Sequence, residues 1–110
     1  MATFLTDLNP VIGSEQKGKR PVLVVSNEDF NQLMPVVTVL PITSLKKGRK
    51  VYPNETLIGK GVAGLTVDSL VLAHQIRTIS KIRLIRQLGT VAEPELQFAI
   101  EEAMRIHLSA

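Results

Sequence analysis

The stretch GSEQKGKRPVLVVSN, residues 13 to 27, changes character at Pro21. Before the proline the chain is polar and charged. After it, residues 22–25 are all apolar, and three of the four are the β-branched residue valine. A short apolar run of this kind, bounded by turn residues, is typical of a strand that is buried on both faces. The sequence therefore predicts a charged loop that brings Lys19 and Arg20 to the start of a buried strand.

The same loop contains the spacing G-x-x-x-x-G-K, formed by Gly13, Gly18 and Lys19. A phosphate-binding P-loop needs Ser or Thr at the next position to bind magnesium, followed by a helix whose N-terminus faces the phosphates. Here the next residue is Arg20, and Pro21 with the valine-rich run predicts a strand. The loop is therefore not predicted to bind a nucleotide in this way.

The chain is predicted to form a single domain, residues 1–110, with its other elements on either side of the strand at 22–25. The sequence predicts strands at 3–8, 22–25, 36–42, 56–58, 69–72, 75–79 and 85–91, helical turns near 27–32 and 80–84, and a helix at 94–107. Pro94 suits the first turn of that helix, and Leu96, Ile100, Ala103 and His107 fall on one face of it. Many short strands before one terminal helix predict a mainly β fold, either a small barrel or a strongly bent sheet covered by the helix.

Composition narrows the classes of function. The chain has no cysteine and two histidines, and the sequence forms no recognisable set of metal ligands. We expect a cytoplasmic protein with no membrane segment and no cofactor. The first 92 residues hold twelve bases and six acids, a net charge of +6 within the chain's total of +3. Such a body suits a polyanion partner such as RNA or DNA, although many small proteins carry this charge without such a partner.

Three stretches at predicted strand ends carry the reactive side chains: the loop 15–20, the segment 41–44 and the segment 74–77. Together they offer carboxylate, guanidinium, hydroxyl, imidazole and amide groups. These groups suit RNA cleavage by the RNA's own 2′-hydroxyl, because the protein then only moves protons and stabilises a phosphorane. The fork of Arg20 suits the phosphorane. Glu15 and His74 are both candidates for the base.

The segments DLNPVIGSEQKGKRPVLVVSN, LPITS, LAHQIRTISK and LGTV, in this order before a terminal helix, strongly resemble the MazF/PemK family of toxin endoribonucleases. The resemblance implies a small SH3-like β-barrel of antiparallel strands with short helices and a C-terminal helix. It also implies a homodimeric, metal-independent ribonuclease that cleaves single-stranded RNA at a specific sequence. Members of the family are held inactive by a cognate antitoxin, here one of the MazE/PemI kind.

Site residues carry over by motif. The resemblance implies that Arg20, which precedes Pro21, and Thr43 of the LPITS segment are catalytic at the scissile phosphate. The resemblance also implies that five residues in or next to these motifs bind RNA, namely Glu15, Lys19, Ser44, Gln75 and Arg77. His74 stands where many members have Asp, and it is a candidate proton shuttle. The chain also lacks the Arg-Gly-Asp/Glu segment that usually leads into the first strand, so we expect that strand to be short.

Two rival functions remain at this point. One is a non-catalytic toxin of the CcdB type, which inhibits a protein target by contact. The other is a degenerate toxin that serves only as a binding partner of the antitoxin. The basic run 46–50 is either a solvated loop or a grip on RNA phosphates. The sequence has few aromatic residues and therefore gives weak support for base stacking, with Tyr52 and Phe30 as the loop candidates.

Overall fold

The structure, a computed structural model, describes residues 1–10, 12–15 and 18–110. Its strands and α-helices are β1 (Ala2–Asp7), β2 (Lys19–Val24), α1 (Glu28–Leu33), β3 (Val36–Ser44), β4 (Glu55–Ile58), β5 (Ser69–Leu72), β6 (Arg77–Ser80), β7 (Leu84–Thr90) and α2 (Pro94–Leu108). Short 3-10 turns occupy Val62–Gly64, Ala73–Gln75 and Lys81–Arg83. The predicted mainly β fold with a C-terminal helix is confirmed.

All strand pairs are antiparallel, and the strands follow the order β4-β5-β3-β2-β1-β7. β6 lies off this path and pairs with the first half of β3, whereas β5 pairs with its last three residues. β6 and β5 therefore follow one another along the same edge of β3. Among the described residues β4 and β7, the two ends of the order, do not pair, so the predicted barrel is an open, strongly bent sheet.

A backbone contact narrows the gap between the two ends of this sheet. The 3-10 turn Val62–Gly64 packs against β7, and a Cβ atom added to Gly64 would lie 2.0 Å from the carbonyl oxygen of Leu88. The hydroxyl of Thr3 in β1 donates a hydrogen bond of 2.7 Å to the carbonyl oxygen of Ala63. Glycine is required at this contact because the backbones approach too closely for any side chain.

The central strands β2 and β3 are buried on both faces, as the apolar run at residues 22–25 predicts. Leu23 and Ile42 face a core that α2 covers with Ile100 and Ala103. On the other face, Val22, Val24, Val37, Val39, Leu8 and Ile79 form a second core, with Phe4 and Leu84 at its edge. Alternation along each strand thus divides the apolar side chains between two cores.

The helices begin where the sequence predicts. The side chain of Asn27 caps α1 by accepting a hydrogen bond of 2.9 Å from the backbone N–H of Asp29. In α2, Leu96 packs against the core as predicted. His107, predicted on the same face, is exposed, and its ring lies edge-on to the ring of His74 with 6.4 Å between centroids. His107 is exposed although it shares the predicted face, because the last turn of the helix extends beyond the core.

Several element boundaries differ from the prediction, and pairing explains each difference. β2 begins at Lys19 rather than at residue 22, because Lys19 pairs with Asp7 of β1. β3 continues to Ser44 because that residue pairs with Ser69 of β5. Gln75 belongs to a 3-10 turn and not to a strand. The first strand, which we expected to be short, has six residues.

Candidate active site

The central feature of the site is a cleft that opens where β2 and β3 separate. The two strands pair as far as Val22 opposite Pro41. Beyond that point β2 continues beside β1, with Arg20 opposite Thr6, while β3 continues beside β5, with Thr43 opposite Leu70. Extending the register of β2 and β3 by two residues places Arg20 across from Thr43.

Prolines mark the point of separation. Pro41 forms the last pair of β2 and β3, opposite Val22, and Pro21 comes directly beyond it on β2, where it has no N–H with which to continue the ladder. The resulting gap, the strand cleft, has a volume of about 420 Å³. Lys19, Arg20, Thr43 and Ser44 are among its lining residues. The predicted catalytic pair thus shares one cleft, with Lys19 and Ser44 beside it.

A second cleft contains the other predicted site residues. This loop cleft has a volume of about 590 Å³ and is lined by Ser14, Glu15, Pro41, His74, Gln75, Ile76 and Arg77. Pro41 lines the loop cleft and its neighbours Ile42 and Thr43 line the strand cleft, so the two lie next to each other along β3. The structure therefore groups the three predicted stretches into two adjoining clefts and not into one.

Glu15 has a structural contact as well as a place in the loop cleft. Its carboxylate accepts a hydrogen bond of 2.8 Å from the backbone N–H of Ile12, which stabilises the turn of the charged loop. At the base of the loop, the N–H of Leu8 donates to the carbonyl oxygen of Gly18 at 3.0 Å. Lys17, part of the predicted charged loop, lies outside the described residues.

Arg77 reaches from β6 to the end of the first strand. Its Nη1 atom lies 3.5 Å from the carbonyl oxygen of Leu8, to which it donates a hydrogen bond. This contact and the pairing of Arg77 with Val39 hold the guanidinium at the wall of the loop cleft. Gln75 is half-buried in the 3-10 turn just before β6.

His74 connects the loop cleft to an ion-pair network that the sequence did not predict. The carboxylate of Glu55, whose side chain is 1% exposed, accepts two hydrogen bonds from Arg49, at 2.9 and 2.7 Å. The same carboxylate lies 3.1 Å from Nε2 of His74 and accepts a hydrogen bond of 3.0 Å from the N–H of Tyr52. Four contacts from three groups thus converge on one buried charge.

These contacts determine the protonation of the network. The bidentate hydrogen bond from Arg49, helped by those from Tyr52 and His74, lowers the pKa of Glu55 from 4.5 to about 2, although burial opposes the change. An ionised carboxylate only accepts hydrogen bonds. Neutral His74 therefore carries its proton on Nε2. Its other ring nitrogen, Nδ1, has the lone pair that can accept a hydrogen bond or a proton.

Only one signal in the sequence points to this network. Glu55 is the one acidic residue between Asp29 and Asp68, and it follows a basic run. Its partners are six and nineteen residues away, and they meet because β4 pairs Glu55 with Leu72, two residues before His74. Pairing across strands of this kind is not visible in the spacing of the residues.

Two features are absent from the described ranges 1–10, 12–15 and 18–110. No group of three or more His, Cys, Asp or Glu side chains lies close enough to hold a metal ion in that part of the chain. None of its helices combines the length and the apolar character that crossing a membrane requires.

Comparison with known proteins places this fold and site in a family. The sequence profile described as "PemK-like, MazF-like toxin of type II toxin-antitoxin system" matches residues 2–108. The chain is 41% identical over 107 residues to endoribonuclease MazF9 of Mycobacterium tuberculosis, covering 93% of this chain and 88% of the relative. The chain belongs to the PemK/MazF family of toxins, and the resemblance seen in its motifs is confirmed.

Solved structures agree with this assignment. The crystal structure of MazF (form I) from Deinococcus radiodurans matches with a TM-score of 0.81 at 26% identity, over 99% of this chain and 94% of that one. A mycobacterial endoribonuclease in complex with its cognate antitoxin matches with a TM-score of 0.78 at 25% identity, over 98% and 91% of the two chains. The bent seven-stranded sheet with its terminal helix is therefore the fold of MazF toxins.

Proposed function

We propose that this protein is a sequence-specific, metal-independent endoribonuclease toxin that cleaves single-stranded RNA, chiefly messenger RNA, in the cytoplasm. The observation that carries the proposal is the position of Arg20 and Thr43 on opposite sides of the strand cleft, where β2 and β3 separate. A guanidinium and a hydroxyl facing one gap suit a phosphodiester, because both donate hydrogen bonds to its oxygens. The relative MazF9 is itself named an endoribonuclease.

In this mechanism the substrate supplies the nucleophile. The 2′-hydroxyl loses its proton to a base and attacks the adjacent phosphorus, and the bond from phosphorus to the 5′-oxygen then breaks. The products are a 2′,3′-cyclic phosphate and a 5′-hydroxyl. Arg20 stabilises the charge that develops on the phosphorane, and Thr43 donates a hydrogen bond to a phosphate oxygen. In this proposal Arg20 also protonates the leaving 5′-oxygen, which becomes the 5′-hydroxyl.

The base remains a choice between two residues of the loop cleft. Glu15 lines this cleft but also holds the turn of its own loop. His74 lines the same cleft with Nε2 engaged by Glu55, which leaves Nδ1 to accept a proton. Both lie in the cleft next to the one that contains Arg20, so either assignment requires the RNA to cross from one cleft to the other.

The two adjoining clefts divide the work of binding RNA. Lys19 and Ser44 flank the catalytic pair in the strand cleft, and Glu15, Gln75 and Arg77 line the loop cleft. Arginine and glutamine side chains can hydrogen-bond both phosphates and base edges, which suits recognition of a single strand. The net charge of +6 on the first 92 residues, from twelve bases and six acids, supplies a general attraction for the backbone.

The partners proposed besides RNA are a second copy of the chain and a cognate antitoxin of the MazE/PemI kind. A homodimer is expected from the family. The antitoxin is supported by the mycobacterial structure, which holds an endoribonuclease and its cognate antitoxin together. An antitoxin that covers the basic surface around the clefts would block RNA and so keep the toxin inactive.

The test is cleavage of a long synthetic RNA in the presence of EDTA, with cut positions mapped by primer extension. Arg20→Ala and Thr43→Ala are expected to abolish cleavage and leave the circular dichroism spectrum unchanged. Lys60→Ala removes an exposed cation that lines neither cleft and serves as the matched control.

Full cleavage by both site variants would overturn the assignment of the catalytic pair. Intact RNA from the folded wild-type protein would instead favour the non-catalytic rivals. In that case, binding to gyrase would indicate a CcdB-like inhibitor, and tight binding to the antitoxin alone would indicate a degenerate toxin.

A further inference from the structure

A third pocket adjoins the loop cleft at His74. It has a volume of about 540 Å³, and its lining includes Arg49, Tyr52, Asn54, Glu55, His74 and Ile106. We call it the tyrosine pocket. His74 lines both this pocket and the loop cleft, so the two meet at that residue. A strand of RNA that fills the loop cleft would reach the tyrosine pocket by passing His74.

Glu55 holds Tyr52 in one place. The N–H of Tyr52 donates to the Glu55 carboxylate at 3.0 Å, and the carbonyl oxygen of Tyr52 accepts from the N–H of Glu55 at 2.9 Å. Both backbone polar groups of Tyr52 are thus bound to a single residue, whose carboxylate is fixed in turn by Arg49. The loop is therefore ordered around the ring before any ligand arrives, which lowers the entropic cost of binding.

The Tyr52 ring itself is available to a ligand. The residue is 51% exposed, and Nζ of Lys50 lies 5.3 Å from the ring centroid over one face. A planar ligand would stack on the other face, with Lys50 close to any phosphate that it carries. Sites that bind single-stranded nucleic acid commonly combine an aromatic side chain for stacking with a nearby cation.

His74 completes the pocket on the side of the loop cleft. Because Nε2 faces the ionised Glu55, Nδ1 of neutral His74 is a hydrogen-bond acceptor, and it is open to this role where Glu15 is the base. Every nucleobase carries at least one N–H donor on its edge. The pocket thus combines an aromatic ring for stacking, a cation for a phosphate and a hydrogen-bond acceptor for an N–H on the edge of the base. Each group suits one part of a nucleotide.

We propose that the tyrosine pocket is an additional subsite that binds one nucleotide of the RNA flanking those in the loop cleft, with its base stacked on Tyr52 and with Glu55 as the positioning residue that holds Tyr52 and His74. The inference rests on the proposed ribonuclease function, because the ligand is a continuation of the same RNA strand. It extends the footprint of the protein on RNA by one nucleotide beyond the two clefts.

The experiment uses the full chain and the RNA sequence obtained from mapping the cuts. A 2′-deoxynucleotide at the cleavage position prevents attack, so that binding is measured without cleavage. 2-Aminopurine is placed in turn at each flanking position, and its fluorescence and the anisotropy of the RNA are followed during titration. Stacking on Tyr52 is expected to quench the probe at one flanking position.

Substitutions at Tyr52 separate the ring from the rest of the side chain. Tyr52→Ala is expected to weaken binding roughly five- to 150-fold, the range that one base–aromatic stack contributes, and to abolish the quenching. Tyr52→Phe retains the ring and is expected to bind like the wild type, whereas Tyr52→Leu, of similar size, is expected to behave like Tyr52→Ala. Lys60→Ala is the control for loss of a surface group, and thermal melting checks the folding of each variant.

A double-mutant cycle tests the positioning role of Glu55. Glu55→Gln is expected to weaken RNA binding in the wild-type background and to have little effect when Tyr52 is already Ala, because its role in binding is to hold that ring. A purely structural role of Glu55 would give the same loss in both backgrounds.

The inference and the proposed function fail in different ways. Normal cleavage and binding, with no effect of Tyr52→Ala or Tyr52→Leu and no quenching at any flanking position, would overturn the tyrosine subsite and leave the ribonuclease intact. An RNA shortened by the quenched nucleotide should bind all Tyr52 variants equally, and a persistent difference would also contradict the inference. If the folded wild type neither binds nor cleaves RNA, the proposed function itself is wrong and the subsite is refuted with it.

Discussion

Replacing Glu55 by Gln tests how much the ion pair between Glu55 and Arg49 contributes to the free energy of unfolding. The structure gives this carboxylate two hydrogen bonds from Arg49, at 2.9 and 2.7 Å, and lowers its pKa from 4.5 to about 2. Since one pKa unit corresponds to about 1.4 kcal/mol, this fall corresponds to roughly 3 kcal/mol of folding free energy. The side chains of Arg49 and His74 are each 33% exposed, and water screens part of the interaction. We therefore expect about 2 kcal/mol.

The sign of the pH dependence follows from the direction of the change in pKa. A carboxyl group whose pKa is lower in the folded state stabilises the fold above its unfolded pKa, and this stability is lost as the pH falls through the folded value. For Glu55 the loss runs from about pH 4.5 down to about pH 2. At neutral pH the Gln variant is expected to be less stable by about 2 kcal/mol. The difference should shrink towards pH 2, because a protonated Glu resembles Gln.

The assay is urea unfolding of both proteins, followed by circular dichroism at several pH values between 7 and 2. Subtracting the two free energies of unfolding removes the titration of all other carboxyl groups, since both proteins share them. Parallel curves over the whole range would refute the reasoning, because they would mean that Glu55 has the same pKa in the folded and unfolded chains. A difference that grows as the pH falls would refute it as well.

Three further predictions concern other parts of the molecule. Arg20→Lys keeps the charge but loses the planar fork, so cleavage should fall roughly tenfold or more in single-turnover kinetics with RNA binding close to wild type. Gly64→Ala should cost more than about 2 kcal/mol in urea unfolding because its Cβ would meet the backbone of β7, whereas Gly59→Ala, with nothing within 4 Å, should be nearly neutral. If Lys46 and Lys47 contact phosphates, replacing either by Ala should reduce the slope of log affinity against log salt by roughly 0.7, whereas an unchanged slope would make 46–50 a solvated loop.

The positions of the strands along the chain and of the terminal helix could be predicted from sequence because both depend on local patterns. The apolar run after Pro21 predicted a buried strand, and Pro94 marked the start of α2. The early start of β2 at Lys19 could not be predicted in this way, because a charged residue enters the strand only through its pairing with Asp7. Arg20, the predicted catalytic arginine, therefore lies in a strand that pairs with β1 and not in the loop where the sequence predicted it.

The motifs predicted which residues form the candidate site, but they did not predict how those residues are arranged in space. Motif spacing cannot show that Thr43 and His74 line different clefts, since this depends on which strand pairs with each half of β3. It also could not reveal the contact between Arg49 and Glu55. An acidic residue next to a basic run has the same pattern whether it is solvated or buried.

The separation of β2 and β3 gives the strand cleft a physical basis. Splitting two strands of a sheet normally exposes unpaired backbone groups, at a cost comparable to that of the lost hydrogen bonds. Here each strand keeps a partner on its other edge, β1 beside Arg20 and β5 beside Thr43. On the edge of β2 that faces the cleft, Pro21 also has no N–H that the broken ladder could leave unpaired. The sheet can therefore stay open at this point, and the side chains that flank the gap are held by strands rather than by loops. Strands fix the distance between two groups more closely than loops do, as a guanidinium and a hydroxyl that act on one phosphate require.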